Sequence, residues 1–136
     1  MLCIHEDAVS DLRSIRNNDA PAFGPLVALM EQLRNDKALA DKLLEHDFGA
    51  NRKGTVGVKQ WRSVYQVVER LPVWRLRAWE LEAQGLAYRV FYIYNWRQKS
   101  FHVLAIVPRN GFDYDDPQNP IRRRIAACIR REFPGI

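Results

Sequence analysis

Two apolar spacings divide the chain. In the first half, apolar residues recur every three or four positions, the period of a helix with one buried face. Leu2 to Ile4 is short enough for a first strand. Ala8, Leu12 and Ile15 then share a face, which predicts a helix over residues 7–16 capped by Asp7. Asn17, Asn18, Asp19, Ala20 and Pro21 break it. Pro25 suits the first turn of a second helix striped by Leu26, Leu29, Met30 and Leu33. Asn35 and Asp36 interrupt or re-cap that helix, and Leu39, Leu43 and Leu44 resume the pattern. Trp61, Val64, Tyr65 and Val68 give another helical face, ended by Pro72. Between these stripes, residues 48–57 read as a glycine-bearing, solvated connector. Its Arg52 and Lys53 offer two cations to a phosphate backbone, but its glycines lack the Gly-Lys-Ser/Thr of a P-loop.

In the second half the period falls to two and β-branched and aromatic residues accumulate. Strands are expected over residues 73–82, 87–94 and 101–107. Gly85 marks a turn between the first two, and residues 95–100 form a polar hairpin connection. Short links between three consecutive strands imply an antiparallel meander. Pro108 ends the last strand and Asn110-Gly111 turns the chain. Pro117 and Pro120 precede a final helix with Ile121, Ile125, Ile129 and Phe133 along one side. Arg122, Arg123, Arg124, Arg130 and Arg131 coat the rest. The 136 residues are expected to form one α+β domain: a twisted, mostly antiparallel sheet, N-terminal helices on one face, and a C-terminal Arg-rich helix.

Charge sharpens this picture. The net charge is +5, and residues 1–74 balance ten Lys+Arg against ten Asp+Glu. Residues 75–136 hold eleven against six, so the whole excess lies there, and Lys99 is its only lysine. Arginine presents a planar fork that meets phosphate oxygens two at a time. The asymmetry points to a polyanionic partner. No apolar run is long enough to cross a membrane. The N-terminus lacks the basic start and apolar core of a secretory signal. Two cysteines, Cys3 and Cys128, are too few for a disulfide framework. A cytoplasmic setting is expected.

Strand alternation turns the basic residues into a candidate site. Arg75 and Arg77 point one way, and Trp74 and Leu76 the other. Arg89 lies with Phe91 and Ile93, in a strand with no carboxylate of its own. Arg109 stands at a strand end, with Tyr114 close behind. Any one arginine fits a solvated basic face; four at successive strand positions followed by a tyrosine fit a phosphodiester site. His102 is a candidate proton carrier and Lys99 a further candidate cation. His5 and His46 have no partner spacing, and no His/Cys/Asp/Glu spacing reads as a metal site. Asp113, Asp115 and Asp116 read as turn and helix-start residues.

These residues resemble a known family. Trp74-Arg75-Leu76-Arg77, then Gly85 and Tyr88-Arg89-Val90-Phe91-Tyr92, then Leu104-Ala105-Ile106-Val107-Pro108-Arg109 and Tyr114 resemble the RelE/ParE toxin superfamily, most closely the RelE-type mRNA interferases. The likeness covers residues 73–115. Residues 48–72 have no counterpart in short family members and read as an insertion. The resemblance implies a toxin of a bacterial toxin–antitoxin pair, a metal-independent endoribonuclease that cuts mRNA in the ribosomal A site. It implies no cofactor. By position it implies mRNA contacts for Arg75 and Arg77 and scissile-phosphate contact for Arg89. It implies a basic role for Arg109 and a stacking or orienting role for Tyr114. The implied partners are a cognate antitoxin protein, mRNA and the ribosome, with no membrane. Three alternatives stand beside this: a ParE-like toxin acting on DNA gyrase, a non-catalytic binding module of the same fold, and a DNA-binding regulator.

Overall fold

The computed structural model describes residues 1–61, 71–110 and 113–136. The expected helical positions Val64, Tyr65 and Val68, and the turn residue Gly111, lie outside them. The elements are β1 (Leu2–Ile4), α1 (Glu6–Asn18), α2 (Ala20–Asn35), α3 (Lys37–Ala40), β2 (Val56–Gln60), β3 (Trp74–Ala78), α4 (Trp79–Ala83), β4 (Tyr88–Asn95), β5 (Ser100–Pro108) and α5 (Pro120–Glu132). The fold is α+β.

A single five-stranded sheet runs β1-β5-β4-β3-β2. β1 lies parallel to β5, and every other neighbouring pair is antiparallel. The expected β3-β4-β5 meander is present. Ladder register pairs Arg75 with Phe91, Arg77 with Arg89, and Arg89 with Val107. A bulge in β5 opposite Phe91 and Tyr92 breaks the alternation, so Leu104 and Ala105 both join the core beneath α5.

Two cores sandwich the sheet. On one side α1 and α2 pack Leu12, Ile15, Leu26, Met30 and Leu33 against Leu76, Val90, Tyr92, Val103 and Ile106. The four expected residues of the α2 stripe are all buried. Two phenols pin this layer from the sheet. Tyr92 donates to the Leu43 carbonyl at 2.6 Å, and Tyr88 to Asp19 at the α1–α2 junction at 2.6 Å. On the other side α5 packs Ile125, Ala126, Cys128 and Ile129 over Phe91, Ile93, Leu104 and Val107.

Local expectations are corrected in five places. His5 caps α1, its ring accepting the Asp7 backbone N–H at 3.1 Å, so Asp7 lies inside the first turn. Pro21 occupies the start of α2, and Pro25 lies inside it, where it removes one ladder donor. The segment from 48 is no simple connector: Val56–Gln60 is an edge strand paired along its whole length with β3. The expected strand over 73–82 stops at Ala78, and the chain turns into α4. Pro120 is within the first turn of α5, and Arg122 is buried rather than part of a solvated coat.

β1 covers β5 only through Val103. Beyond that the edge of β5 is closed by side chains. Asp11 accepts the Ile106 N–H at 3.0 Å and two bonds from Arg124, at 2.9 and 2.7 Å. Arg124 also reaches the Leu104 carbonyl at 3.4 Å. This clasp joins α1, β5 and α5 and blunts an open sheet edge.

Candidate nucleic-acid interface

Alternation along β3 and β4 sends Trp74, Leu76 and Val90 into the α1–α2 core, which leaves Arg75, Arg77 and Arg89 on the opposite side. α5 covers only part of that side. Where it does not reach, a concavity of about 190 Å³ opens, lined by Arg52, Lys59, Arg75, Arg77, Trp79 and Arg89 among others. Arg109 joins it from the end of β5 through Glu82: the carboxylate takes bonds from Arg77 Nε at 2.7 Å and Nη2 at 2.5 Å, and from Arg109 Nη1 at 3.3 Å.

The cations are close enough to oppose one another. Burial first, then Arg75, Arg109 and Arg77, lower the Arg89 pKa below the ordinary arginine value, with Tyr114 acting the other way. Burial, Arg77 and Arg109 likewise lower that of Arg75, against an opposing pull from Asp115. Guanidinium stays protonated under such shifts, so the result is a fixed concentration of positive charge. Among the described residues no ion pair reaches Arg75 or Arg89, and Arg89 Nε is buried without a hydrogen-bond partner. Glu82 is held below the ordinary carboxylate range, chiefly by its bonds to Arg77.

Trp79 forms one wall. The Arg52 and Arg77 guanidiniums each lie 4.9 Å from its ring centroid. Its indole N–H donates to the Gly49 carbonyl at 2.9 Å. Two glycines make room for this. A Cβ on Gly57 would stand 2.2 Å from the Trp79 ring. Gly49 has φ +71, and a Cβ there would meet the Val56 carbonyl oxygen at 1.9 Å. Gly49 and Gly57 of the 48–57 segment thus build the wall of the concavity, and Arg52 belongs to it. Sequence reading missed Trp79, Lys59 and Glu82. The available signal was a break of phase: alternation carried on from Trp74-Arg75-Leu76-Arg77 would put Glu80 and Glu82 on the core face of Trp74 and Leu76.

The expected site residues divide. Arg75, Arg77, Arg89 and Arg109 come together. Tyr114 is adjacent but 2 % exposed, so it offers no open face for a base. Its hydroxyl donates to the Pro108 carbonyl, its ring lies 5.5 Å from Phe91, and Arg89 sits 5.7 Å over that ring. Burial pushes its pKa up to about 12. Tyr114 therefore lies beneath Arg89, with its ring closed in by Phe91 and the guanidinium rather than open to a base. His102 stands apart. It pairs with Ile93, four residues along β4 from Arg89, which is about 13 Å of strand. Its ring packs on Phe133 and bonds Ser100 Oγ at 2.9 Å, and burial lowers its pKa. Lys99 is exposed in the β4–β5 turn, at the far end of β4 from Arg89. Neither reaches the arginines.

Cys128 is no candidate nucleophile: burial, then Glu132, push its thiol up to about 12. Among the described residues no helix is long and apolar enough to cross a membrane. In comparisons with known proteins, no family model, no curated protein and no solved structure matches the chain.

Proposed function

We propose that this chain binds RNA in the arginine-lined concavity and cuts it there, as the endoribonuclease toxin of a bacterial toxin–antitoxin pair acting on mRNA at the ribosome. One observation carries the reading: Arg75, Arg77, Arg89 and Arg109 converge on one side of the sheet, and among the described residues the only carboxylate paired with them is Glu82. The arrangement of β3, β4 and β5 that brings them together is the one the RelE-type resemblance implies, and this supports the assignment.

On this reading Arg89 faces the scissile phosphate. Its buried Nε and its seat on Tyr114 fix the guanidinium before substrate arrives, the pre-organisation that makes charge stabilisation effective. Arg109 shares the developing negative charge. Arg75 and Arg77 hold flanking phosphates. The Glu82 carboxylate now occupying the Arg77 fork has the planar two-oxygen geometry that a phosphate presents. The 2′-hydroxyl attacks the phosphorus and the 5′-oxygen leaves, so the products carry 2′,3′-cyclic phosphate ends. The cognate antitoxin would be a small protein that masks this cationic side.

The test is expression of the wild type and of Arg89→Ala and Arg109→Ala variants, scored for growth arrest, mRNA loss and product ends. Arrest in the wild type only, with cyclic-phosphate ends, is the expected result. Full toxicity in both variants, or 3′-hydroxyl ends, would reject the site or the chemistry. A second reading, a non-catalytic RNA-binding module, is favoured by one observation: among the described residues no histidine lines the concavity. Salt-sensitive RNA binding without cleavage, ribosomes included, would select it. DNA damage without mRNA loss would select a gyrase-directed toxin.

A further inference from the structure

A second cluster lies where the start of α1 meets the end of α5. His5, from the β1–α1 junction, and Cys128, on α5, are separated by 123 residues of sequence and stand with Nε2 and Sγ 3.6 Å apart. Glu132, one helical turn after Cys128 and so on the same face, puts Oε2 at 2.7 Å from Nε2 and 3.5 Å from Sγ. Asp7 adds a second carboxylate: its ligand atom, with those of His5 and Cys128, lies in a group all within 4.8 Å of one another. Imidazole, thiol and two carboxylates are a donor set suited to zinc.

The geometry points to a divalent metal site, zinc by donor type, held by Cys128 Sγ, His5 Nε2 and Glu132 Oε2. With ordinary zinc–ligand bonds, a tetrahedral site has S–N and S–O edges of roughly 3.5 Å and an N–O edge of roughly 3.3 Å. The observed 3.6 and 3.5 Å edges to sulfur match. The 2.7 Å edge is a hydrogen bond, and it opens when the metal replaces the proton between His5 and Glu132. The Cys128 proton leaves to solvent on binding. The ring proton then moves from Nε2 to Nδ1, which gives up the Asp7 N–H it now accepts and faces Asp7 Oδ2, 3.6 Å away and placed to accept it; a carboxylate behind a metal-bound histidine is a recurring support. Cys128 is buried and the His5 side chain is 9 % exposed, while Glu132 at 38 % faces solvent, where the exposed Arg131 that now bonds its Oε2 at 2.9 Å must swing away to admit the ion and a fourth ligand. Such an ion would join the N-terminus of α1 to α5 on the far side of the β5 edge from β4. Sequence reading finds no metal spacing because the ligands come from opposite ends of the chain.

Cobalt(II) as a coloured surrogate for zinc tests this without reference to RNA cleavage. Titration of the full chain should give a thiolate-to-cobalt charge-transfer band and tetrahedral visible bands, both bleached by zinc. Cys128→Ser should lose the charge-transfer band and Cys3→Ser should keep it. Glu132→Gln, at an exposed position, should bind cobalt at least about tenfold more weakly. Zinc should raise the melting temperature of the wild type but not of Cys128→Ser. A wild-type chain that stays colourless with excess cobalt overturns the site, as does a band that survives Cys128→Ser or disappears in Cys3→Ser.

Discussion

The arginines of α5 and those of the central strands carry the same charge and meet opposite conditions. Arg124 closes a two-bond fork on Asp11, and the buried Arg122 donates to the Asp115 carbonyl at 2.7 Å. Arg75 and Arg89 face other guanidiniums, with no ion-pair partner among the described residues. Arg124 is neutralised by the chain, and with Arg122 it holds elements together. The strand group is kept in place by the sheet and left unneutralised. Burying charge without a partner is costly, and an anion bound there would recover part of that cost. A count of arginines favours α5; the balance of partners favours the strands.

That contrast can be broken experimentally. The largest effect belongs to Arg89→Ala, which should slow RNA cleavage by about 10²–10³-fold while the melting temperature holds or rises, since a mutually repelling charge is gone. A drop in melting temperature with unchanged cleavage would place Arg89 in the structural group. Asp11→Ala should do the reverse. It strands Arg124 and the Ile106 N–H, and because the pair is partly exposed the loss should be about 2–3 kcal/mol, read from urea unfolding. RNA affinity of the folded fraction should not change. Gly57→Ala drives a methyl into the Trp79 ring, at a cost of about 1–3 kcal/mol, with a shift in tryptophan fluorescence and weaker RNA binding; an unaltered spectrum would mean Trp79 does not form the wall.

The smallest effect is at Glu82. Glu82→Gln should release Arg77 and Arg109, strengthen RNA binding at low salt, and lower stability by about 1 kcal/mol. The sign with pH follows from the lowered folded pKa of Glu82. Its contribution is complete above the unfolded carboxylate value and is lost as pH falls through the folded one. The wild type's advantage in urea midpoint over Glu82→Gln should therefore shrink on acidification, and an advantage that widens would contradict the ion pair.

Much of the strand side was legible because alternation is a local rule. The opposition of Arg75 and Arg77 to Trp74 and Leu76 follows from a period of two, and so does the placing of Arg89 with Phe91. The α2 stripe was legible for the same reason at a longer period. What escaped depends on pairing over distance. Val56–Gln60 contains a glycine and reads as a loop until β3 lies beside it, with Gly57 opposite Arg77. Tyr114 looked available because its position along the chain is all that sequence gives; its burial arises from Phe91 below and Arg89 above. His5 looked solitary because Cys128 and Glu132 arrive only with α5.

The irregularity in β5 decides more than local packing. Phe101 and Val103 face α1 and α2, and an unbroken strand would send every second residue after them the same way. The extra residue reverses that parity, so Val107 lies under α5 and Arg109, two further on, reaches Glu82. With all its residues in unbroken alternation β5 would carry Arg109 to the other surface, leaving three strand arginines together where there are now four; deleting Leu104 would instead heal the ladder and leave Arg109 where it is. Membership of the cationic group is thus written in how β5 seats one extra residue as well as in its side chains.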